Sequence, residues 1–246
     1  MEITKPLPSE TKDAYRSGRY FANPERHSVD GVFKAEHSWK LLEPILTRDR
    51  ELIGSYADVG CGSGAATHSL AAALAKAGHP LSRVTGFDVS PHVESLSGSD
   101  GLSFQHGDFS TADVQFDLVS MFDVFEHIPD PLAFLKRCAE RTKYMTFHIP
   151  LEDCTYLRYK DGYRHRLRDP GHLLILNIER ALSMLCEAGL IVIDYAYTDG
   201  FRLSRPASLK ESVLYWARTA LWKLSPALLT RTLNGTSLCV VARVST

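Results

Sequence analysis

The sequence predicts an α/β fold built on a parallel sheet with helices on both faces. Strand-like and helix-like segments alternate from about residue 56 to 150, the pattern of such a sheet. Three glycines, Gly60, Gly62 and Gly64, lie between the first strand and the first of these helices. At 246 residues, 44% of them hydrophobic, the chain is long enough for one such domain with elaborations.

Tyr56 to Gly60 reads as the first strand. Ala65 to Ala77, rich in alanine and leucine, reads as a helix closed by Gly78. Arg83 to Val89 is the second strand, Leu102 to His106 a short third and Phe116 to Phe122 a fourth. Pro131 to Arg141 is helical, and Tyr144 to Ile149 is the fifth strand. A helix from Ile178 to Glu187 stops at Gly189, and Leu190 to Tyr197 and Ser237 to Val244 are the last two strands. Residues 1–50 read as an N-terminal helical cap ahead of one domain over 51–246. Two stretches exceed what a turn requires: a polar connection at 151–172 and an excursion at 199–235 between the last two strands. Connections this long are functional or disordered. In the second, Val213, Ala217, Ala220, Leu221 and Leu224 fall at helical spacing, which predicts an ordered helix.

A net charge of −1 gives no general preference for nucleic acid. Five scattered cysteines form no Cys-x-x-Cys pair, which argues against a disulfide framework or zinc knuckle and for a reducing cytoplasm. The N-terminus lacks the apolar core of a signal peptide, and no apolar run reaches bilayer-spanning length. The expectation is a soluble protein; its oligomeric state stays open.

A glycine turn between strand and helix lets backbone approach a nucleotide, because no Cβ intervenes. Gly60-x-Gly62-x-x-Ala65 satisfies even the loose dinucleotide pattern. The surrounding acids separate the cofactors. Asp58, at the end of the first strand, would repel a pyrophosphate but attract an ammonium group. Asp88 closes the second strand, where an acid accepts from both ribose hydroxyls. Asp108 follows the third strand, where a carboxylate can accept from an adenine amine. An amino acid, a ribose and an adenine without phosphate describe S-adenosylmethionine.

The ordered series DVGCGSG, GFDVS, HGDF and FDLVSMFDVFEHIPDP resembles the class I S-adenosylmethionine-dependent methyltransferases over roughly residues 55 to 198. FDVFEHIPDP is similar to the ubiquinone-biosynthesis O-methyltransferase branch. DGVFKAEHSWKLL and GHLLILN resemble methyltransferases of bacterial polysaccharide gene clusters. The resemblance implies a Rossmann-like seven-stranded sheet of order 3-2-1-4-5-7-6 with the last strand antiparallel. It also implies that Gly60, Cys61, Gly62 and Gly64 pass the methionine part, with Asp58 serving its ammonium. Asp88 would hold the ribose, Val89 and Phe109 would flank the adenine, Asp108 would take its amine, and Phe122 would line the methionyl side. Core packing is the competing reading for Val89 and Phe109. Cys61 reads as a small residue in a tight place rather than a nucleophile.

Methyl transfer from a sulfonium is an in-line displacement, so the protein positions the acceptor and, for a hydroxyl, helps remove a proton. Asp123, Glu126 and His127 follow the fourth strand and would share one face of a helix. The resemblance makes them a candidate Mg²⁺ site; His127 also reads as a general base, and Glu126 and His127 as residues shaping the pocket. His148, ending the fifth strand, is a second candidate base, and His165 and His172 could close over substrate. Tyr15, Tyr20 and Phe21 could form an aromatic lid. Arg158, Lys160, Arg164, Arg166 and Arg168 in one insertion suit a phosphate or carboxylate, as do the six Lys or Arg residues between Arg202 and Arg231. The resemblance to polysaccharide-cluster methyltransferases implies a sugar or glycan-carrier acceptor, otherwise a small molecule, and the basic insertions suit one of anionic character. The basic, tryptophan-bearing helix at 208–224 could instead rest on the inner membrane surface, or simply pack as an ordinary solvated helix. The competing functions are an NAD-dependent oxidoreductase and a non-catalytic cofactor-binding subunit. Ser120-Met121-Phe122-Asp123 stands where a nucleic-acid amine methyltransferase would carry an Asn/Asp-Pro-Pro-aromatic tetrad.

Overall fold

The computed structural model describes residues 24–245. Helix α1 (Pro24–Asp49) precedes β1 (Ser55–Val59), α2 (Ala65–Lys76), β2 (Arg83–Asp88), β3 (Leu102–His106) and β4 (Phe116–Phe122). Next come α3 (Pro131–Ala139), β5 (Thr142–Leu151), the short α4 (Thr155–Tyr159) and α5 (Gly162–Arg168), and α6 (Ile178–Glu187). Strand β6 (Leu190–Thr198), α7 (Leu209–Leu224), α8 (Pro226–Thr232) and β7 (Thr236–Val244) complete the chain. The strands form one sheet of order 3-2-1-4-5-7-6, with β7 antiparallel to both β5 and β6.

Consecutive strand residues point to opposite faces, and the central strands are apolar on both. In β4, Val119 and Met121 face one buried cluster, with Phe87, Phe125, Phe134 and Leu185. Leu118 and Phe122 face the other, with Leu42, Leu46, Leu70 and Leu74. Helices α3 and α6 cover the first face, α1 and α2 the second. Fully burying each such Leu or Phe contributes about 1.5–3 kcal/mol. Helix starts follow local chemistry: Asp130, Asn177, Ser208 and Ser225 accept from the first-turn amides of α3, α6, α7 and α8.

The bounds of β3, β4 and α6 match those read from the sequence. β5 runs longer because its pairing with β7 continues to Leu151 opposite Thr236. The polar connection contains α4 and α5, and the excursion contains two helices rather than one. Only a single 3-10 turn, Phe125–His127, follows β4, so the helical face expected to unite Asp123 with Glu126 and His127 does not form. Asp123 itself adopts the left-handed conformation (φ 55°).

One packing constraint positions the site. A Cβ on Gly31 would lie 3.0 Å from the Ala66 nitrogen, so α1 crosses directly over the start of α2. Another lies in β2, where a Cβ on Gly86 would meet Phe104 at 2.6 Å and the Cys61 sulfur at 2.9 Å. The Gly86→Ala variant should therefore lose about 1–3 kcal/mol of stability through overpacking, read as a lowered urea midpoint with unchanged slope. An unshifted midpoint would show that Phe104 simply swings aside.

Candidate active site

The turn after β1 is held from several sides. Gly60, Gly62 and Gly64 all have positive φ, at 72°, 53° and 76°, a region that costs a side chain dearly. The Gly60 and Cys61 amides donate to the Phe87 carbonyl at 2.8 and 3.0 Å, locking the turn to β2. Asp88 completes this lock, because one carboxylate oxygen accepts from Gly62 N–H (2.9 Å) and the other from Ser90 N–H (2.8 Å). Each oxygen keeps a second lone pair, which is what two neighbouring hydroxyls require. Burial raises the pKa of Asp88, opposed by those two amides. Cys61 lies buried in the turn, and burial pushes its thiol well up, which leaves no thiolate for nucleophilic chemistry.

Asp58 lies beneath the turn, 1% exposed. Its two oxygens accept from the hydroxyls of Ser120 on β4 and Thr67 on α2, both at 2.6 Å, and the Tyr56 hydroxyl lies 2.7 Å from Ser120 Oγ. Burial raises its pKa to about 6, against the pull of those two hydroxyls. At the far end of the cleft Val89 is exposed. Asp108 is exposed as well, with one oxygen accepting from Ser110 N–H at 2.8 Å. For Phe109 the structure favours the core alternative. Asp108 caps a short turn that swings the Phe109 ring inward, where it packs against Phe87 and Phe116 with 1% of its surface exposed. Phe122 is buried on the sheet face covered by α1 and α2.

A second network closes the carboxyl ends of β4 and β5. Lys34 of α1 sits 2.7 Å from Asp123 and 2.5 Å from Asp30. Burial would lower the Lys34 pKa, but the two carboxylates together raise it. Burial likewise opposes ionisation of Asp123, yet Lys34 and His148 hold its pKa well below the usual carboxylate range. His148 Nδ1 donates to Asp123 at 2.6 Å, and its Nε2 lies 3.0 Å from the Thr198 hydroxyl at the end of β6. Both ring nitrogens are thus engaged inside the protein, and His148 is a structural group rather than the general base expected from its position.

The Mg²⁺ site implied by Asp123, Glu126 and His127 does not fit. Asp123 is committed to Lys34 and His148, and does not join Glu126 and His127 in a ligand set. The structure instead brings Glu126, His127 and His172 together, their ligand-capable atoms within 4.8 Å of one another. Two imidazoles in a set of three do not match the oxygen preference of Mg²⁺. Glu126 is fully buried and neither of its carboxylate oxygens has a hydrogen-bond partner. Burial, then the nearby Asp123 charge, pushes its pKa well above the ordinary value, which favours the neutral acid. Burial, then His172, lowers the His127 pKa to about 4, and His127 Nδ1 donates to the Gly171 carbonyl at 3.2 Å. His172 Nδ1 donates to Glu152 at 2.6 Å, and Arg166 holds the other Glu152 oxygen at 2.9 Å.

The basic insertions are less open to an anion than their composition suggests. Arg158 pairs with Asp153, Arg164 with Asp161, Arg166 with Glu152, Arg202 with Asp199 and Arg231 with Glu179. His165 lies on α5 with Nδ1 3.3 Å from the Asp169 carbonyl. Tyr15, Tyr20 and Phe21 lie outside the described residues. A groove of about 820 Å³ runs between α3, α6 and the connection, walled by Leu132, Leu174, Leu176, Arg180 and Met184. No residue of the glycine turn and none of the three strand-end acids lines it, so the chemistry is placed by the acids rather than by this groove. Lys34, Glu152 and Thr198 escape sequence reading because each acts through a partner distant in the chain.

A family model described as a methyltransferase domain matches residues 34–195. The chain belongs to the class I S-adenosylmethionine-dependent methyltransferases. Within that family it is 36% identical over 95 residues to the ubiquinone biosynthesis O-methyltransferase of Coxiella burnetii, covering 35% of this chain and 38% of that protein. It is 32% identical over 128 residues to the enzyme of the same name from Xanthomonas euvesicatoria, covering 47% and 50%. The matches thus span about half or less of the curated relatives. In three dimensions the methyltransferase resembles the N-methyltransferase NodS from Bradyrhizobium japonicum in complex with S-adenosyl-L-homocysteine (TM-score 0.57, 17% identity, 95% of this chain and 100% of that one). It likewise resembles magnesium protoporphyrin IX methyltransferase from Synechocystis (TM-score 0.56, 16% identity, 96% and 100%).

Removing Asp123 strips Lys34 and His148 of their shared partner. Asp123→Ala should cost about 2–4 kcal/mol, below the full cost of breaking a wholly buried pair, because 28% of the Asp123 side chain remains exposed. Thermal unfolding of the variant measures it, and an unchanged melting temperature would dissolve the assigned network.

Proposed function

We propose that this methyltransferase moves the methyl group of S-adenosylmethionine to a hydroxyl of a small-molecule or glycan acceptor. The observation that carries the reading is the set of three acids, Asp58, Asp88 and Asp108, at successive strand ends around a turn whose amides bond to protein groups. Such a cleft suits a cationic amino acid joined to a nucleoside and opposes a diphosphate, which disfavours the NAD-linked alternative. Asp58 attracts the methionine ammonium through the turn, Lys34 faces the same end and suits its carboxylate, and Asp88 offers its remaining lone pairs to the ribose hydroxyls.

In the reaction the acceptor oxygen attacks the methyl carbon, the carbon–sulfur bond breaks, and S-adenosylhomocysteine leaves. The hydroxyl proton needs an acceptor, and the Glu152–His172 dyad is better built for it than His148. With Nδ1 donating to Glu152, His172 presents Nε2, and the Glu152 charge stabilises the imidazolium that forms. His127, neutral at pH 7, and the protonated Glu126 line the same corner and can orient the acceptor. The five cysteines are unpaired, which supports a reducing compartment, the cytoplasm, as its place of work.

S-adenosylhomocysteine should raise the melting temperature while NADH does not; stabilisation by NADH alone would reverse the cofactor assignment. Asp88→Ala should weaken S-adenosylhomocysteine binding by about 1–3 kcal/mol, read by calorimetry, and equal affinity would take Asp88 out of the site. Asp58 sets a pH dependence. Its folded pKa of about 6 lies above the unfolded value, so its own contribution to stability is present below about pH 4 and lost as pH rises through 6. Pairing with an ammonium needs the ionised form, so affinity should fall as pH drops below about 6, by up to about tenfold per unit. Titrations giving one affinity from about pH 5 to 7.5 would contradict that role.

A further inference from the structure

Helix α7 has no buried residue, and its apolar positions divide between two faces. Tyr215 and Trp222 turn inward against Phe201, and Arg218 on that side donates to the Leu233 carbonyl at 3.1 Å. Outward stand Leu209, Val213, Trp216 and Leu224, 84%, 64%, 66% and 76% exposed, with Ala220 between them. At about 100° per residue these five fall within an arc of about 80°. The apolar stripe anticipated from the sequence is therefore split, and the larger part of it is exposed among the described residues. An exposed row of large apolar groups of this kind marks a contact surface.

Charge decides what covers it. Arg202 and Arg231 in this excursion are paired with Asp199 and Glu179. Arg205, Lys210 and Lys223 are exposed and belong to no ion pair among the described residues. Lys210 and Lys223 flank the stripe on its two sides. The single acid of the helix, Glu211, is drawn to the helix start, where it accepts from Ala207 N–H at 2.7 Å. An apolar stripe with a tryptophan, bordered by unneutralised cations, matches the surface of an anionic bilayer, where the stripe enters the acyl boundary and the lysines reach phosphates. No helix among the described residues is long and apolar enough to cross a membrane, which fits a helix lying in the interface plane.

We infer that α7 docks this protein on an anionic lipid surface through Leu209, Val213, Trp216, Ala220 and Leu224. The inference is independent of the methyl-transfer reading and stands or falls without it. It gives that reading a setting, because β6 delivers the excursion to the end of the sheet where Thr198 meets His148.

Co-sedimentation of the full chain with phosphatidylcholine vesicles, with and without about 30 mol% phosphatidylglycerol, tests it. The partition coefficient should rise at least about tenfold with the anionic lipid and fall again in about 0.5 M salt. Val213→Asn with Trp216→Gln should abolish binding, and Lys210→Glu with Lys223→Glu should lower it by about tenfold or more. All four side chains are exposed, so circular dichroism and S-adenosylhomocysteine affinity should match the parent protein. Equal partition onto both vesicle types would overturn the inference, as would unchanged binding by the stripe variant. A dimer in sedimentation velocity that the stripe variant disperses would assign the face to a second copy instead.

Discussion

At the carboxyl end of β4 one carboxylate meets an ammonium from α1 and an imidazole from β5, and that imidazole reaches a hydroxyl on β6. The chain Lys34–Asp123–His148–Thr198 ties together four elements that sequence order separates. Its charges are tolerable because each has a partner at hydrogen-bonding distance; a lone buried ion there would cost several kcal/mol. Asp123 pays for this position with a left-handed backbone, held by its amide donating to the His148 carbonyl at 2.8 Å. With α1 fixed this way and Gly31 against the start of α2, Lys34 is delivered beside the glycine turn.

That network also determines what the neighbouring residues are able to do. Because Asp123 is engaged towards α1, Glu126 and His127 face the connection after β5, and their companions there are His172, Glu152 and Arg166. Two carboxylate–imidazole pairs thus stand near one end of the sheet with opposite fates. In the Asp123–His148 pair the second ring nitrogen meets Thr198, which is fully buried, and the pair acts as a rivet. In the Glu152–His172 pair the imidazole lies instead beside Glu126 and His127, which is why the base proposed above is His172 and not His148. The two histidines differ in what surrounds them, not in their own nature.

Much of this fold was legible because its signals are local. Strand patterning, the glycine turn and the helix-stopping Gly78 and Gly189 are properties of a few consecutive residues, and they place β3, β4 and α6 closely. The acids at the strand ends were legible for the same reason. What stayed hidden depends on distant partners. Lys34 looks like any surface lysine until the fold sets it beside Asp123. Phe109 reads equally as an adenine contact or as core until a capped turn packs it against Phe87 and Phe116. The arginines of the insertions read as a binding surface until Asp153, Glu152, Asp199 and Glu179 neutralise them. Composition counts charges, whereas only packing shows which remain unpaired.

The same distinction separates the two insertions in function. They meet where the Thr155 hydroxyl donates to the Arg231 carbonyl, and Arg231 is anchored in turn to Glu179 on α6, so the two insertions adjoin. The part contributed by residues 151–172 pairs Arg158, Arg164 and Arg166 with its own acids and buries Glu152 and His172. The part contributed by residues 199–235 turns Tyr215 and Trp222 inward against Phe201 and leaves its second apolar stripe, Trp216 included, exposed between Lys210 and Lys223. On the docking proposed for α7, such an arrangement would hold the protein at a lipid surface without requiring the cleft itself to enter the lipid.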